Sequence, residues 1–291
     1  MATGEKLLKF SLDRVHDLYL HQLSLIIAVH SSAKDRIGGA KHKKLPTEED
    51  LKPNLRFVQN PLILQLEQHS ALQKELARAK ISWAEHTELI RRIYAQFRDS
   101  ELYAEYMSVE KPSYRDHRRL VFKLYGEFIF PNEHLRSIFE EKSIFWVNDF
   151  EQVSEMVIRT LSDLREEDTT ENTLPSLYKD EKEDLKFVLD LFRKTATHSG
   201  DFQTMIDEKL ENWEPDRIAS TDILLMKMAL CEFMHIPSVP TKVTMNEYIE
   251  IAKEYSTPKS KGFINGILDR LLSELKEQGR VKKVGKGLIE T

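Results

Sequence analysis

The chain has 291 residues, of which 41% are hydrophobic and 31% are charged, and its formal net charge is −5. This composition is that of a globular protein with a substantial core, in one large domain or two. No apolar run reaches the ~20 residues that cross a bilayer, and the start of the chain lacks the pattern of a signal peptide. A single cysteine excludes an intramolecular disulfide, so we expect a cytoplasmic protein.

Apolar residues at three- and four-residue spacing predict helices throughout the first part of the chain. The first is predicted at 6–30, with a loop at Gly38-Gly39 after it. Thr47 is the expected N-cap of a short helix that Pro53 would end. Further helices are predicted at 62–80, 83–107, 113–130 and 145–164. Glycine and proline are few, and no convincing strand or repeat is present, so the predicted fold class is an all-α helical bundle.

Composition also predicts how the chain is divided. The segment around 166–175 is acidic and rich in threonine, which is typical of an exposed connection. We therefore predict a helical N-terminal region at 1–165, a connecting segment at 166–180, a helical domain at 181–276 and a basic tail at 277–291.

Three predicted helices with short connections lie between residues 213 and 275. Their apolar residues recur at helical spacing. These are Ile223, Met226, Leu230 and Phe233 in the first helix, Met245, Tyr248, Ile249 and Ala252 in the second, and Phe263, Ile264, Ile267, Leu268, Leu271, Leu272 and Leu275 in the third. Thr257 is the expected N-cap of the third helix. Gly266 lies inside that helix, where a glycine usually lets a second backbone approach closely.

This arrangement resembles the C-terminal half of the NusB family of bacterial transcription antitermination factors. The residues that carry the resemblance are Arg217, Asp222, Leu224, Ala229, Leu230, Glu232, Val239, Pro240, Lys242, Val243, Asn246, Glu247, Ile249, Ala252, Lys253, Phe263, Asn265, Gly266, Leu268 and Asp269. The F-x-N-G-x-L-D element is fairly specific, and weaker similarity extends over 183–210. The phrases at 45–54, 143–149 and 279–290 resemble a longer version of the same family.

The resemblance implies an all-helical, NusB-like domain and a set of partners. In the family, the protein pairs with the ribosomal protein NusE, and the pair grips the boxA segment of ribosomal RNA transcripts. It thereby joins the RNA polymerase antitermination complex. One departure concerns the family's arginine-rich first helix, which contributes to RNA binding. Met1 to Phe10 contains two lysines and no arginine, so either the start is truncated or RNA contact has moved elsewhere.

The candidate RNA-binding residues are grouped around the third helix of the domain. Phe263 lies beside Lys259 and Lys261, and single-stranded RNA is held by aromatic stacking together with phosphate contacts. Spacing alone favours a core position for Phe263, whereas the resemblance implies that it lies at the RNA-facing end. The resemblance also implies RNA near Lys242, which could equally be a solvated charge.

Two auxiliary RNA contacts are possible on charge alone. Arg115 and Arg119 share one side of a predicted helix, although such rows more often pair with nearby acids. Lys282 and Lys283 lie in the basic tail, which could attract phosphates or be a flexible solvated end. For NusE, the region to examine is 183–210. Its residues Phe187, Leu191 and Phe192 are at helical spacing and are expected to be core.

The sequence lacks catalytic, metal-binding and phosphate-loop spacings, so we expect no enzyme, metal or cofactor. Cys231 lies between apolar residues, where a thiol is usually a small hydrophobe. The main alternative function is a helical interaction or scaffold protein that kept the fold and lost RNA binding. A domain that precedes a ribosomal RNA methyltransferase is a weaker alternative, because no dinucleotide-type fingerprint follows the match.

Overall fold

The computed structural model describes residues 1–40, 45, 47–168, 178–210 and 218–289, without the side chains of Glu49 and Asp50. Residues 169–177 of the predicted acidic connection lie outside the described residues, as do Trp213 and Arg217. The described part of the chain consists of helices and turns, which confirms the all-α prediction. It divides into two compact units, one of residues 7–177 and the other of residues 1–6 with 178–291.

The helices are numbered in chain order. They are α1 (Ala2–Ala40), α2 (Glu48–Leu51), α3 (Pro61–Gln68), α4 (Ser70–Arg78), α5 (Thr87–Arg98), α6 (Glu101–Ser108), α7 (Tyr114–Lys123), α8 (Glu133–Lys142), α9 (Phe150–Asp163), α10 (Glu181–Thr197), α11 (Ser199–Asp207), α12 (Ser220–His235), α13 (Thr241–Tyr255) and α14 (Ser260–Glu277). Short 3-10 turns lie at Ala84–His86, Ile144–Trp146 and Gly285–Leu288, and a π-helical turn at Leu124–Ile129 extends α7. None of the described helices is long and apolar enough to cross a membrane.

The unit of residues 7–177 is built around the middle of α1. From Asp17 to Ile26 every side chain is buried, so this part of the helix is enclosed on its whole circumference and other helices surround it. Two hydrogen bonds join polar side chains of different elements within this core. Tyr19 Oη lies 2.9 Å from Thr160 Oγ1 of α9, and the Tyr125 hydroxyl donates to the Gln22 side chain.

Several helix boundaries in this unit differ from the sequence prediction. Helix α1 continues through Gly38-Gly39 to Ala40, because two glycines weaken a helix by about 1 kcal/mol each without ending it. The helix predicted at 62–80 is interrupted at His69, whose Nδ1 accepts a 3.2 Å hydrogen bond from the N–H of Leu72 and starts α4.

The helix predicted at 83–107 is likewise two helices after a 3-10 turn. Ser100 is extended and its hydroxyl oxygen accepts from the N–H of Tyr103, which starts α6. Helix α8 was not predicted, although Asn132 before it is an N-cap residue that accepts from the N–H of Leu135. Each boundary depends on one side chain that bonds to the backbone, a local effect that apolar periodicity does not register.

The second compact unit is built around α12. The core that it shares with α10, α11, α13 and α14 consists of Leu191, Phe202, Ile206, Leu210, Leu225, Met226, Ala229, Leu230, Cys231, Phe233, Tyr248, Ala252, Ile264, Ile267, Leu268, Leu271, Leu272 and Leu275. The three helices predicted between 213 and 275 are confirmed as α12, α13 and α14. Cys231 is fully buried, as predicted, and burial raises the pKa of its thiol.

Candidate nucleic-acid interface

The first turn of α14 carries three of the predicted site residues together. Lys259 and Lys261 are exposed, and Phe263 is half-buried against the core of this unit. The core positions of the same stripe are taken by Ile264 and Ile267, which are 0% and 4% exposed. Phe263 is therefore intermediate between the two sequence interpretations, because one part of its ring packs on the core while another part reaches the surface.

A buried carboxylate fixes the connection between α13 and α14. Asp222, near the start of α12, is 4% exposed and accepts hydrogen bonds from the hydroxyls of Ser256 and Ser260. Ser260 Oγ also lies 2.8 Å from Thr257 Oγ1 and accepts from the N–H of Thr257 at 3.2 Å. These bonds hold the residues before Phe263 in one conformation, so the ring and the two lysines are positioned by α12.

Thr257 and Gly266 do not have the roles predicted for them. Helix α14 starts at Ser260, its N-cap position is Lys259, and no side chain of the described residues caps it; the Thr257 hydroxyl lies against Ser260 Oγ instead. Gly266 is exposed and nothing among the described residues lies within 4 Å of a Cβ built on it, so no described backbone segment packs against it. The N–H groups at this uncapped start and the positive end of the helix dipole favour an anion beside the two ammonium groups.

Lys242 is exposed in the first turn of α13. It is 13 residues before Tyr255, the last residue of that helix, and at 1.5 Å per residue this separation is about 20 Å along the helix axis. Lys259, Lys261 and Phe263 follow the opposite end of α13. The structure therefore brings those three residues together and leaves Lys242 at a separate position, where α13 also starts without a side-chain cap.

Part of the predicted tail packs against the rest of this unit. Lys283 is half-buried, and its ammonium group donates to the backbone oxygens of Glu232 and Ile236 at 2.7 and 3.0 Å. Burial lowers the pKa of Lys283 to about 8. Lys282, in contrast, is exposed.

Arg115 and Arg119 are exposed on α7 and belong to the other compact unit. Neither guanidinium forms an ion pair with the described residues. Their neighbours on the same helix have structural roles: Arg118 donates to the Ser162 and Leu164 carbonyls, and Lys123 pairs with Glu127 at 3.2 Å. Both predicted arginines on this side of the helix are therefore exposed.

The predicted NusE region, α10 and α11, has a mixed surface. Leu191 is buried, as predicted, but Phe187 is 36% exposed and so is not a core residue. Phe192 is half-buried beside Gly4, one of the first six residues that belong to the same unit, and a Cβ on Gly4 would lie 2.5 Å from its ring. Beside this contact, Arg193 forms two hydrogen bonds of 2.8 and 2.6 Å with the Glu5 carboxylate. Within the described residues, no group of three or more His, Cys, Asp or Glu side chains could hold a metal ion.

Two kinds of sequence comparison give matches. The family model described as NusB matches residues 151–273. This range contains Lys242, Lys259, Lys261 and Phe263. Arg115, Arg119, Lys282 and Lys283 lie outside it. A comparison with solved structures finds no match.

Three curated relatives carry the name transcription antitermination protein NusB. The protein of Salinibacter ruber is 45% identical over 103 residues, which are 35% of this chain and 64% of the relative. The protein of Chloroherpeton thalassium is 41% identical over 104 residues, 36% of this chain and 49% of the relative. The protein of Koribacter versatilis is 35% identical over 116 residues, 40% of this chain and 80% of the relative.

Proposed function

The chain belongs to the NusB family, and we propose that it is a transcription antitermination factor that binds single-stranded RNA of the boxA type. The names of its relatives support the antitermination role. The partners that we propose, the boxA segment, NusE and the RNA polymerase antitermination complex, are those that the family resemblance implies. The role of the chain in this proposal is to bind and position RNA and NusE, without catalysis.

The first turn of α14 is the observation that carries the proposal. It combines a half-buried aromatic ring, two exposed ammonium groups and a helix start that no side chain caps. A base that stacks on an aromatic side chain contributes about 1–3 kcal/mol, and lysines next to it attract the adjacent phosphates. Because Asp222 holds the connection before the ring, little conformational entropy would be lost when RNA binds.

Substitution of Phe263 tests this site. We expect Phe263→Ala to weaken binding of a fluorescently labelled boxA-type RNA about tenfold or more, because one base loses its stacking partner. Phe263→Tyr should stay within about threefold of wild type, because the aromatic face is retained. Fluorescence anisotropy titrations without NusE measure both affinities.

The matched control is Phe187→Ala, which removes an exposed phenylalanine from α10 in the same unit. It should leave RNA affinity unchanged. If Phe263→Ala and Phe187→Ala both bind the RNA as wild type does, Phe263 is a core residue only. If the wild-type chain itself does not bind the RNA, the scaffold function replaces the proposed one.

A further inference from the structure

The residues after α14 form a docked segment, which we call the C-terminal segment (residues 279–289). It begins at Gly279, whose φ of 66° is a conformation that glycine adopts without strain. The N–H of the next residue, Arg280, donates back to the carbonyl of Leu275 at 2.9 Å, which closes the end of the helix. The chain therefore turns sharply at this point.

Three residues of the C-terminal segment attach it to the end of α12 and to the connection that follows that helix. The Lys283 ammonium group donates to the carbonyls of Glu232 and Ile236, which are at the end of α12. The N–H of Val284 donates to the carbonyl of Pro237 at 3.0 Å. Gly287 packs on the same carbonyl so closely that a Cβ would lie 2.1 Å from the oxygen.

These contacts separate the lysines of the segment into two classes. Lys283 faces the protein and acts as an anchor, whereas Lys282 and Lys286 are exposed, and neither forms an ion pair with the described residues. Pro237, whose carbonyl anchors the segment, is five residues before Lys242. The Cα atoms of these two residues are therefore at most about 17 Å apart, even if the chain between them is extended. Lys282 and Lys286 are therefore held beside the connection that leads into α13, where Lys242 is also exposed, and residues 280–289 contain no acidic residue.

We propose that the C-terminal segment is a second RNA-binding element, in which Lys282 and Lys286 contact phosphates of the strand whose base stacks on Phe263. This inference rests on the proposed function. The start of α13 is about 20 Å from the connection that leads to Phe263, so one strand reaches both positions only if it extends along α13. The segment lies outside the range that the family model matches, which ends at residue 273.

The charge of the segment is tested with the double variant Lys282→Gln/Lys286→Gln in the full chain. We expect its affinity for a long boxA-type RNA to fall about tenfold at low salt. The plot of log affinity against log salt concentration should become less steep by about 1.4, because two phosphate contacts on single-stranded RNA are lost. On an RNA shortened to the nucleotides at Phe263, the variant should bind as wild type does. The matched control Lys179→Gln/Lys182→Gln removes the same charge from exposed positions around the start of α10 and should have no effect.

The docking of the segment is tested separately with Gly287→Ala, because a methyl group would collide with the Pro237 carbonyl. The control is Gly200→Ala, where nothing lies within 4 Å of the added Cβ. We expect Gly287→Ala to weaken binding of the long RNA, and its effect should not add to that of the double lysine variant. If wild type binds the long RNA and the double lysine variant binds it with unchanged affinity and salt slope, the inference is overturned while the proposed function stands. If wild type binds neither RNA, both are overturned.

Discussion

Asp222 and Glu232 are buried carboxylates near the two ends of α12, and both accept hydrogen bonds from hydroxyl groups. Asp222 accepts from Ser256 and Ser260, next to the candidate RNA site. Glu232 accepts from Thr244 Oγ1 and Tyr248 Oη, each at 2.8 Å, and burial raises its pKa. Buried polar groups are stable only when they are paired in this way. The two carboxylates therefore fix α13 and the start of α14 on α12.

The imidazole of His21 makes stability depend on pH. It is 9% exposed and surrounded by the rings of Trp146, Trp83 and Phe139 at 5.2, 6.0 and 6.1 Å. Burial lowers its pKa to about 4, although a hydrogen bond to the Asp17 carbonyl acts in the opposite direction. Because the folded pKa is below the unfolded value of about 6.5, the neutral imidazole stabilises the fold fully above pH ~6.5. This contribution, about 3 kcal/mol, is lost as the pH falls towards 4.

Urea unfolding followed by tryptophan fluorescence at pH 7 and at pH 4 measures this dependence. The difference in unfolding free energy between the two pH values should be smaller by up to about 3 kcal/mol for His21→Phe than for wild type. His134→Phe, at an exposed position, is the control and should retain the wild-type difference. Equal differences for His21→Phe and wild type would show that His21 is not buried in its neutral form.

The chemistry of single residues was partly predictable from the sequence. Residue type and proximity in the chain identified Lys259, Lys261 and Phe263 as a group. They could not distinguish Lys282 from Lys283, because the segment after α14 has no regular period. The two side chains differ only through the carbonyls at the end of α12, about 50 residues earlier. Contacts at that separation carry no local sequence pattern.

At the scale of elements, α12, α13 and α14 were predictable because their apolar residues repeat at helical spacing on a shared core. The breaks at His69 and Ser100 were not, because one hydrogen bond from a backbone N–H to a side chain decides each of them. The start of α14 was not predictable either. Residue type alone predicted Thr257 as its N-cap, whereas the helix starts at Ser260. Asp222 reaches this connection from another helix and draws the hydroxyl of Ser260 into its own hydrogen bonds.

Removal of the Asp222 carboxylate should therefore loosen the connection between α13 and α14. For Asp222→Ala we expect faster amide hydrogen exchange over residues 256–263 and a loss of about 1–3 kcal/mol of stability, because buried hydroxyls lose their acceptor. RNA affinity should fall in parallel, since Phe263 is no longer held in place. Asp269→Ala, an exposed position of α14, is the control. Unchanged exchange at 256–263 in Asp222→Ala would contradict the positioning role of the carboxylate.

At the scale of the whole molecule, the chain contains two compact units with separate cores. The family match, 151–273, covers α9 and most of the unit around α12, whereas the helices before α9 lie outside it. Their apolar pattern predicted helices, and the buried middle of α1 explains why they form a core of their own. Periodicity gives the type of these elements but neither the exact number of helices nor their pairing, so it could not predict which helix the others surround.

The most direct test of the central claim is the coupling between RNA and NusE on the full chain. Labelled boxA-type RNA and a permuted RNA of equal length are titrated with the chain, with and without NusE, at two salt concentrations. The proposed function predicts that NusE tightens binding of the boxA-type RNA at least fivefold, that salt weakens it, and that the permuted RNA binds less tightly. Equal affinities for the two RNAs, unaffected by NusE at both salt concentrations, would contradict the antitermination function.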